Sequence, residues 1–211
     1  YAASPGAAGS VDLQLRRAEL SLGGSRLDLA WRGRAEFVDI GTRSWGQFPD
    51  TAHFSGQLHG QQDHIVMQLD SRAARLKFSR LRNPIILEEL QGRLDWTRGE
   101  TGWQLASRNM IAVTPHIRTQ SRLHLQHQAG KATFVDMQTD IADGDAAAIR
   151  SYLPVTVSPV KVVDWLDRAF PAGRITQGSA LFHGPLDGFP FERHKDGVFQ
   201  VHFETEDLVL E

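Results

Sequence analysis

Apolar side chains recur at every second position through most of this chain, and that period restricts the fold more than any other feature. Val11, Leu13 and Leu15 open the pattern; Ile65, Met67 and Leu69, then Leu123 and Leu125, then Val135 and Met137 repeat it, with Arg, Gln, Asp or His between them. Successive side chains on a strand point to opposite faces, so this pattern specifies antiparallel strands with one apolar and one wet face. Gly23-Gly24, Asn83-Pro84 and Ala129-Gly130 read as turns, and about ten or more short strands result. Leu20 and Leu22 continue on the parity opposite to Val11–Leu15, which predicts a bulge near Arg16-Arg17. Gly41 to Asp50 reads as a loop anchored by Trp45 and Phe48, and Tyr1 to Ser10 as a flexible lead-in.

The chain also repeats itself. Phe54-Ser-Gly-Gln-Leu58 matches Leu90-Gln-Gly-Arg-Leu94, and Met67-Gln-Leu69 matches Trp103-Gln-Leu105 at the same offset. Each copy reads as a hairpin with a glycine in its first strand. Leu181 to Val201 is a looser third copy. Stacked similar units build elongated architectures.

One segment departs from the period of two. Ser158 is a good N-cap, Pro159 suits the first helical position, and Pro171 with Gly173 supplies a stop. Between them Val162, Val163, Leu166 and Phe170 fall near helical spacing, with Trp165 beside them. This predicts a helix of about three turns, too short to stand alone and therefore packed on the sheet. Asp143-Gly144-Asp145 is expected to cap a shorter helical piece, Ala146 to Tyr152. The expected organisation is a lead-in over 1–10, hairpin repeats over 11–151, and a helix with a further hairpin over 152–211.

The apolar parity is large. It takes in Phe54 and Leu58; Ile65, Met67 and Leu69; Leu76 and Phe78; Leu90, Leu94 and Trp96; Trp103 and Leu105. It continues through Leu123, Leu125, Val135 and Met137 to Phe199, Val201 and Phe203. Leaving one Leu- or Phe-sized side chain in water forgoes roughly 1.5–3 kcal/mol, against a whole-domain stability of about 5–15 kcal/mol. Such a face must be covered. The sheet can close on itself as a sandwich or barrel, or an apolar ligand can complete it. A helix about 17 Å long caps one end only. Pattern alone favours the closed sandwich, with an outside ligand as the alternative.

Composition removes other classes. A net charge of -2 gives no electrostatic case for nucleic acid or for a polybasic membrane patch. Cysteine is absent, which excludes disulfides and thiolate metal sites. No run approaches a membrane span, and no signal peptide is visible. The opening at Tyr1 and the ending at Leu210-Glu211, inside an alternating run, lead us to expect a fragment. His124 and His127 are three apart on a strand and point to opposite faces, so no metal is expected from them. Asp140, Asp143 and Asp145 lack the later ligands of a calcium loop and read as a turn and cap. There is no nucleophile elbow, phosphate loop or dinucleotide fingerprint. No catalytic residue, metal or cofactor is expected.

The run Ser151-Tyr-Leu-Pro-Val-Thr-Val-Ser-Pro-Val-Lys-Val-Val-Asp-Trp-Leu-Asp-Arg-Ala-Phe-Pro-Ala-Gly-Arg174, followed by Gly184-Pro-Leu-Asp-Gly-Phe-Pro-Phe191 and Gly197-Val-Phe-Gln-Val201, resembles the YhdP branch of the AsmA-like proteins. Phe37-Val-Asp-Ile40 and Leu90-Gln-Gly-Arg-Leu-Asp-Trp96 resemble that family's middle region more loosely. The resemblance implies a periplasmic segment of a bridge-like lipid transfer protein anchored in the inner membrane of a Gram-negative bacterium. It implies an elongated, twisted antiparallel sheet curled into an open apolar groove, with phospholipid or another acyl-chain ligand lying on the apolar parity. The helix around Val162–Phe170 then caps, plugs or gates the groove. Membranes are engaged through other parts of the protein, envelope proteins are candidate partners, and no catalytic motif carries over. The alternative from another class is a β-sandwich-like interaction module of an envelope assembly protein that holds a partner by strand addition; a carbohydrate-binding β domain is weaker still.

Overall fold

The computed structural model describes residues 11–12, 15–25, 28–44, 49–79, 81, 83–152, 168–191 and 196–210. Eleven strands follow in chain order: β1 (Val11–Asp12), β2 (Leu15–Ser25), β3 (Asp28–Thr42), β4 (Asp50–Gln61), β5 (His64–Lys77), β6 (Ile85–Arg98), β7 (Gly102–Val113), β8 (Arg118–Gln128), β9 (Phe134–Asp145), β10 (Ala172–Pro185) and β11 (Val198–Val209). All belong to one antiparallel sheet in which each strand from β3 onward pairs with the next. β1 lies opposite Gly41–Thr42 and β2 opposite Asp28–Phe37, so together they fill one edge position beside β3. β11 is the other edge, and the two edges do not pair. The sheet is therefore mainly β, as the alternation predicts, and open, not closed into the sandwich that the pattern alone favours.

Its two ends differ. Tight turns at residues 62–63 and 99–101 and a short one at 129–133 lie at one end, together with the longer connection 186–197. The connections 43–49, 78–84, 114–117 and 146–171 lie at the other. Ala146–Tyr152 forms a 3-10 helix, and the Asp145 carboxylate accepts the Ala147 N–H at 2.9 Å, the cap its sequence foretold. The longer helix expected over Ser158–Phe170 lies outside the described residues except for helical Arg168-Ala169 and the half-buried Phe170 that follows.

Most strands are 11–15 residues long, not short. The alternation that marks them changes phase within the strand, and each change hides the continuation. Phe37 and Ile40 of β3, Ser71 and Ala74 of β5, Leu87 and Leu90 of β6, Ser107 and Met110 of β7, Ile141 and Gly144 of β9, and Ile175 and Gly178 of β10 are each three apart. Cross-strand pairing nevertheless puts both members on one face. The extra residue is a β-bulge, and five strand residues at such shifts adopt left-handed φ although none is glycine: Asp39 (59°), His53 (61°), Ala73 (56°), Asp143 (51°) and, in β11, Asp207 (50°). The steps in β3–β6 are contiguous across the sheet, as are those of β9 and β10. A bulge bends its strand, so neighbouring bulges crease the sheet across its strands. The bulge foreseen near Arg16-Arg17 is also present, as a register shift between Leu15 and Arg17.

Two expectations are corrected by the pairing. Gly23 and Gly24 do not turn the chain: they remain in β2, opposite Ala30 and Leu29. The matched repeats fall on the hairpins β4–β5 and β6–β7, but not in the same register. Leu58 faces Met67, whereas Trp103, the counterpart of Met67, faces Arg98. The longer turn at 99–101 displaces the second hairpin.

Burial concentrates beside the bulges. Phe37 (1% exposed), Leu69, Ala74, Leu87 and Leu90 form one cluster, with Ile40, Phe54, Leu58, Met67, Leu94 and Met110 packed against it. Ile141, Ala146 and Ile175 form a second, near β9 and β10. Gly56 makes the first cluster feasible: a Cβ there would collide with the Gln68 carbonyl oxygen and stand 3.0 Å from Phe37 Cζ.

Candidate functional site

Cross-strand pairing carries one apolar face through the sheet. Ile65 pairs with Trp96, Trp96 with Leu105, Leu105 with Leu125, and Leu125 with Val135. In a parallel row Leu58 pairs with Met67 and Met67 with Leu94. Leu123, Met137, Phe182 and Phe199 form another row, Ala180 and Val201 the next, and Gly178 and Phe203 the one beyond. Phe54 lies opposite Ile40, and Leu76 opposite Ile85. Leu69 and Leu90 sit in the first core cluster, and Trp103 stacks on His127 with ring centroids 5.6 Å apart. Phe78 is half-buried just beyond the end of β5. Val162, Val163, Trp165 and Leu166 lie outside the described residues.

Several members of this face escaped the sequence reading. Phe37, Ile40, Met110 and Phe182 belong to it but follow bulges or interrupted runs. Polar groups also sit on it: Ser71 is fully buried, Ser107 and Thr139 nearly so, and Ser121 Oγ lies 2.9 Å from Thr139 Oγ1. Ser107 Oγ has no hydrogen-bond partner among the described residues. At the hairpin end, the Gly184–Phe191 motif folds back over the face. Phe189 stacks on Phe182 at 5.7 Å, Phe191 meets Phe182 edge-on at 5.4 Å, and Phe189 meets Phe199 edge-on at 5.3 Å. Edge-on and offset arrangements are those that aromatic quadrupoles favour. Toward the sheet edges the face opens to solvent, with Leu20 67% exposed at one side and Phe199 48% at the other.

The opposite face is wet and carries the ions. Arg93 donates to both Asp95 oxygens at 2.9 and 2.8 Å, and Arg174 pairs with Asp143 at 3.0 Å. The Arg93 hydrogen bonds hold the Asp95 carboxyl below the usual carboxylate range, and His64 acts in the same direction. A hollow of about 770 Å³ also lies on this side, between β2 and β5. Tyr152 closes the far end of β7 by sharing a 2.7 Å hydrogen bond with Thr114; burial pushes its phenol up. Among the described residues no group of His, Asp and Glu is placed to hold a metal, and no helix is long and apolar enough to cross a membrane. What the apolar face offers chemically is contact area for another apolar body.

The described residues thus define a class: an open antiparallel sheet with a continuous apolar face and a charged back. The chain belongs to the YhdP protein family, whose model matches residues 6–211. Over 171 residues, 81% of this chain, it is 22% identical to the Escherichia coli (strain K12) protein named intermembrane phospholipid transporter YhdP. It spans 13% of that relative's length. No solved structure matches it significantly.

Proposed function

We propose that this chain is a segment of a phospholipid-carrying bridge in the periplasm, part of an inner-membrane-anchored protein, and that acyl chains lie on the apolar face. The observation that carries this reading is the unbroken run of apolar cross-strand pairs from β4 to β11. The aligned bulges support it further, because the deepest burial flanks them and a crease with its hollow side there makes a trough running across the strands. In this reading Leu58, Met67, Leu94, Trp96, Leu105 and Leu125 solvate the tails, while headgroups stay in water at the rim. The remaining positions of the same parity, from Phe54 to Phe203, extend the lining. The segment from Val162 to Phe170 would plug or gate it, and no cofactor is needed for passive solvation.

The test uses the full-length protein. Leu94→Glu or Leu125→Glu places a charge in the path, where desolvation opposes passage of a tail. Lipid transfer between inner- and outer-membrane vesicles should stop while the sheet's circular dichroism is retained. Unchanged transfer would remove these residues from the path. Native mass spectrometry after mild extraction should show bound phospholipid.

A second reading draws on β11, whose outer edge is unpaired among the described residues and which exposes Val198, Phe199 and Val201. Such an edge suits strand addition by a protein partner. It predicts a lipid-free chain that gains a partner strand at β11.

A further inference from the structure

Charge is unevenly spread over the wet face. From β6 to β10 cations meet anions: Arg93 meets Asp95, Arg174 meets Asp143, and His183 Nδ1 lies 3.6 Å from Asp136. In the hollow between β2 and β5, three arginines, Arg17, Arg32 and Arg34, face two glutamates, Glu19 and Glu36. Glu19 is shared, 2.8 Å from Arg17 and 3.6 Å from Arg34. Arg32 lies between neutral cross-strand neighbours, Ser21 and Gln61, and has no ion-pair partner among the described residues. Beyond the hollow, Asp63 lines an adjoining depression that shares Arg32, and Asp95 is engaged by Arg93 and His64. His59 and His64 add ring N–H donors to the same wall.

We propose that this hollow binds a phosphate group. Arg32 and Arg34 are two apart on β3 and on the same face, about 7 Å from each other along the strand. Both line the hollow, and a guanidinium fork matches two oxygens of a tetrahedral oxyanion. His59 adds a ring nitrogen from β4, while His64 on β5 faces Asp95 at 3.6 Å. At about 770 Å³ the hollow exceeds a bare phosphate and leaves room for an ester substituent. The shared chemistry is the phosphate itself, presented by a lipid headgroup or as a free ion. The site lies on the face opposite to the acyl path and stands or falls separately from it.

The experiment is a titration of the 211-residue chain, followed by amide and arginine Nε NMR shifts. One arm uses inorganic phosphate, the other dihexanoyl phosphatidylglycerol below its micelle concentration, both against chloride at equal ionic strength. Saturable shifts confined to residues around Arg17–Ser21, Arg32–Glu36 and Gln57–Val66 are expected with at least one ligand. Saturation by the diester only assigns a headgroup; saturation by inorganic phosphate assigns the ion. Arg32→Gln should weaken binding by about tenfold, the value of one charge-assisted contact, and Arg32→Gln with Arg34→Gln should abolish it. Arg32 has no ion-pair partner among the described residues, so its replacement removes no ion pair seen there. Arg122→Gln, on the same face outside the hollow, should bind as the parent does. Saturation by neither ligand, or a double variant that binds as tightly as the parent, overturns the proposal.

Discussion

Ser71 Oγ accepts the Ser55 N–H at 2.9 Å and donates to the Ser55 carbonyl at 3.0 Å, closing both backbone groups that the bulges leave outside the ladder between β4 and β5. Ser71 is fully buried, so no water replaces it. Ser71→Ala strands a donor and an acceptor and should cost about 1–3 kcal/mol. Urea denaturation should show a lower midpoint with an unchanged slope. A midpoint equal to the parent's would mean that the bulge needs no clamp.

Phe37 and Phe199 share a face but not an environment. Phe37 is 1% exposed and Phe199 48%. Phe37→Ala leaves a cavity and should cost about 3–5 kcal/mol. Phe199→Ala should cost under about 1 kcal/mol. Thermal denaturation of the two variants side by side measures the contrast, and equal losses would refute the assignment of the core to the β3–β6 bulges.

Gly56→Ala should destabilise by more than the loss of backbone freedom alone, because its Cβ meets the Gln68 carbonyl and the Phe37 ring. Pairing it with Phe37→Leu, which removes the ring but not the carbonyl, should recover part of the loss. A double-mutant cycle reads that coupling.

Asp95 gives a pH signature. The Arg93 hydrogen bond lowers its folded-state pKa, so its contribution is present above the ordinary carboxylate range and fades as pH falls through the folded value, below about pH 4. The pair is exposed, so the effect on stability is small. Arg93→Gln should move the Asp95 carboxyl ¹³C titration midpoint upward toward the ordinary value. Tyr152 runs in the other direction. Burial raises its pKa, so the folded chain keeps the proton longer, and stability declines as pH rises above about 10. Tyr152→Phe should remove that decline while losing the Thr114 bond.

Where β5 and β8 run straight, in Ile65–Leu69 and Leu123–Leu125, face and partner could be read from period alone. Where a bulge intervenes they could not. Leu87 and Leu90 look like opposite faces to any count by twos, yet they pack in one cluster. The bulges themselves leave little trace: Asp39 and Asp143 tolerate left-handed φ, but Ala73 gives no such hint. Ser71 and Ser107 carry no sign of burial in the sequence; Ser71 is buried with the Ser55 backbone as its partner, and Ser107 is buried without one among the described residues. The hollow between β2 and β5 was equally hidden, since Arg32, His59 and His64 converge only through the pairing of distant segments. The apolar parity itself was legible throughout because a period of two survives on either side of each interruption.

The creases have a mechanical consequence. A hydrogen-bonded ribbon about ten strands wide, with roughly 4.8 Å between strands, yields most readily where one strand hinges against the next. A fold running across every hinge line stiffens it, as a pleat keeps a strip of card from sagging. Bulges in β3–β7, and again in β9 and β10, pleat this sheet on either side of β8, which carries none, and stiffen each part against hinging between its strands.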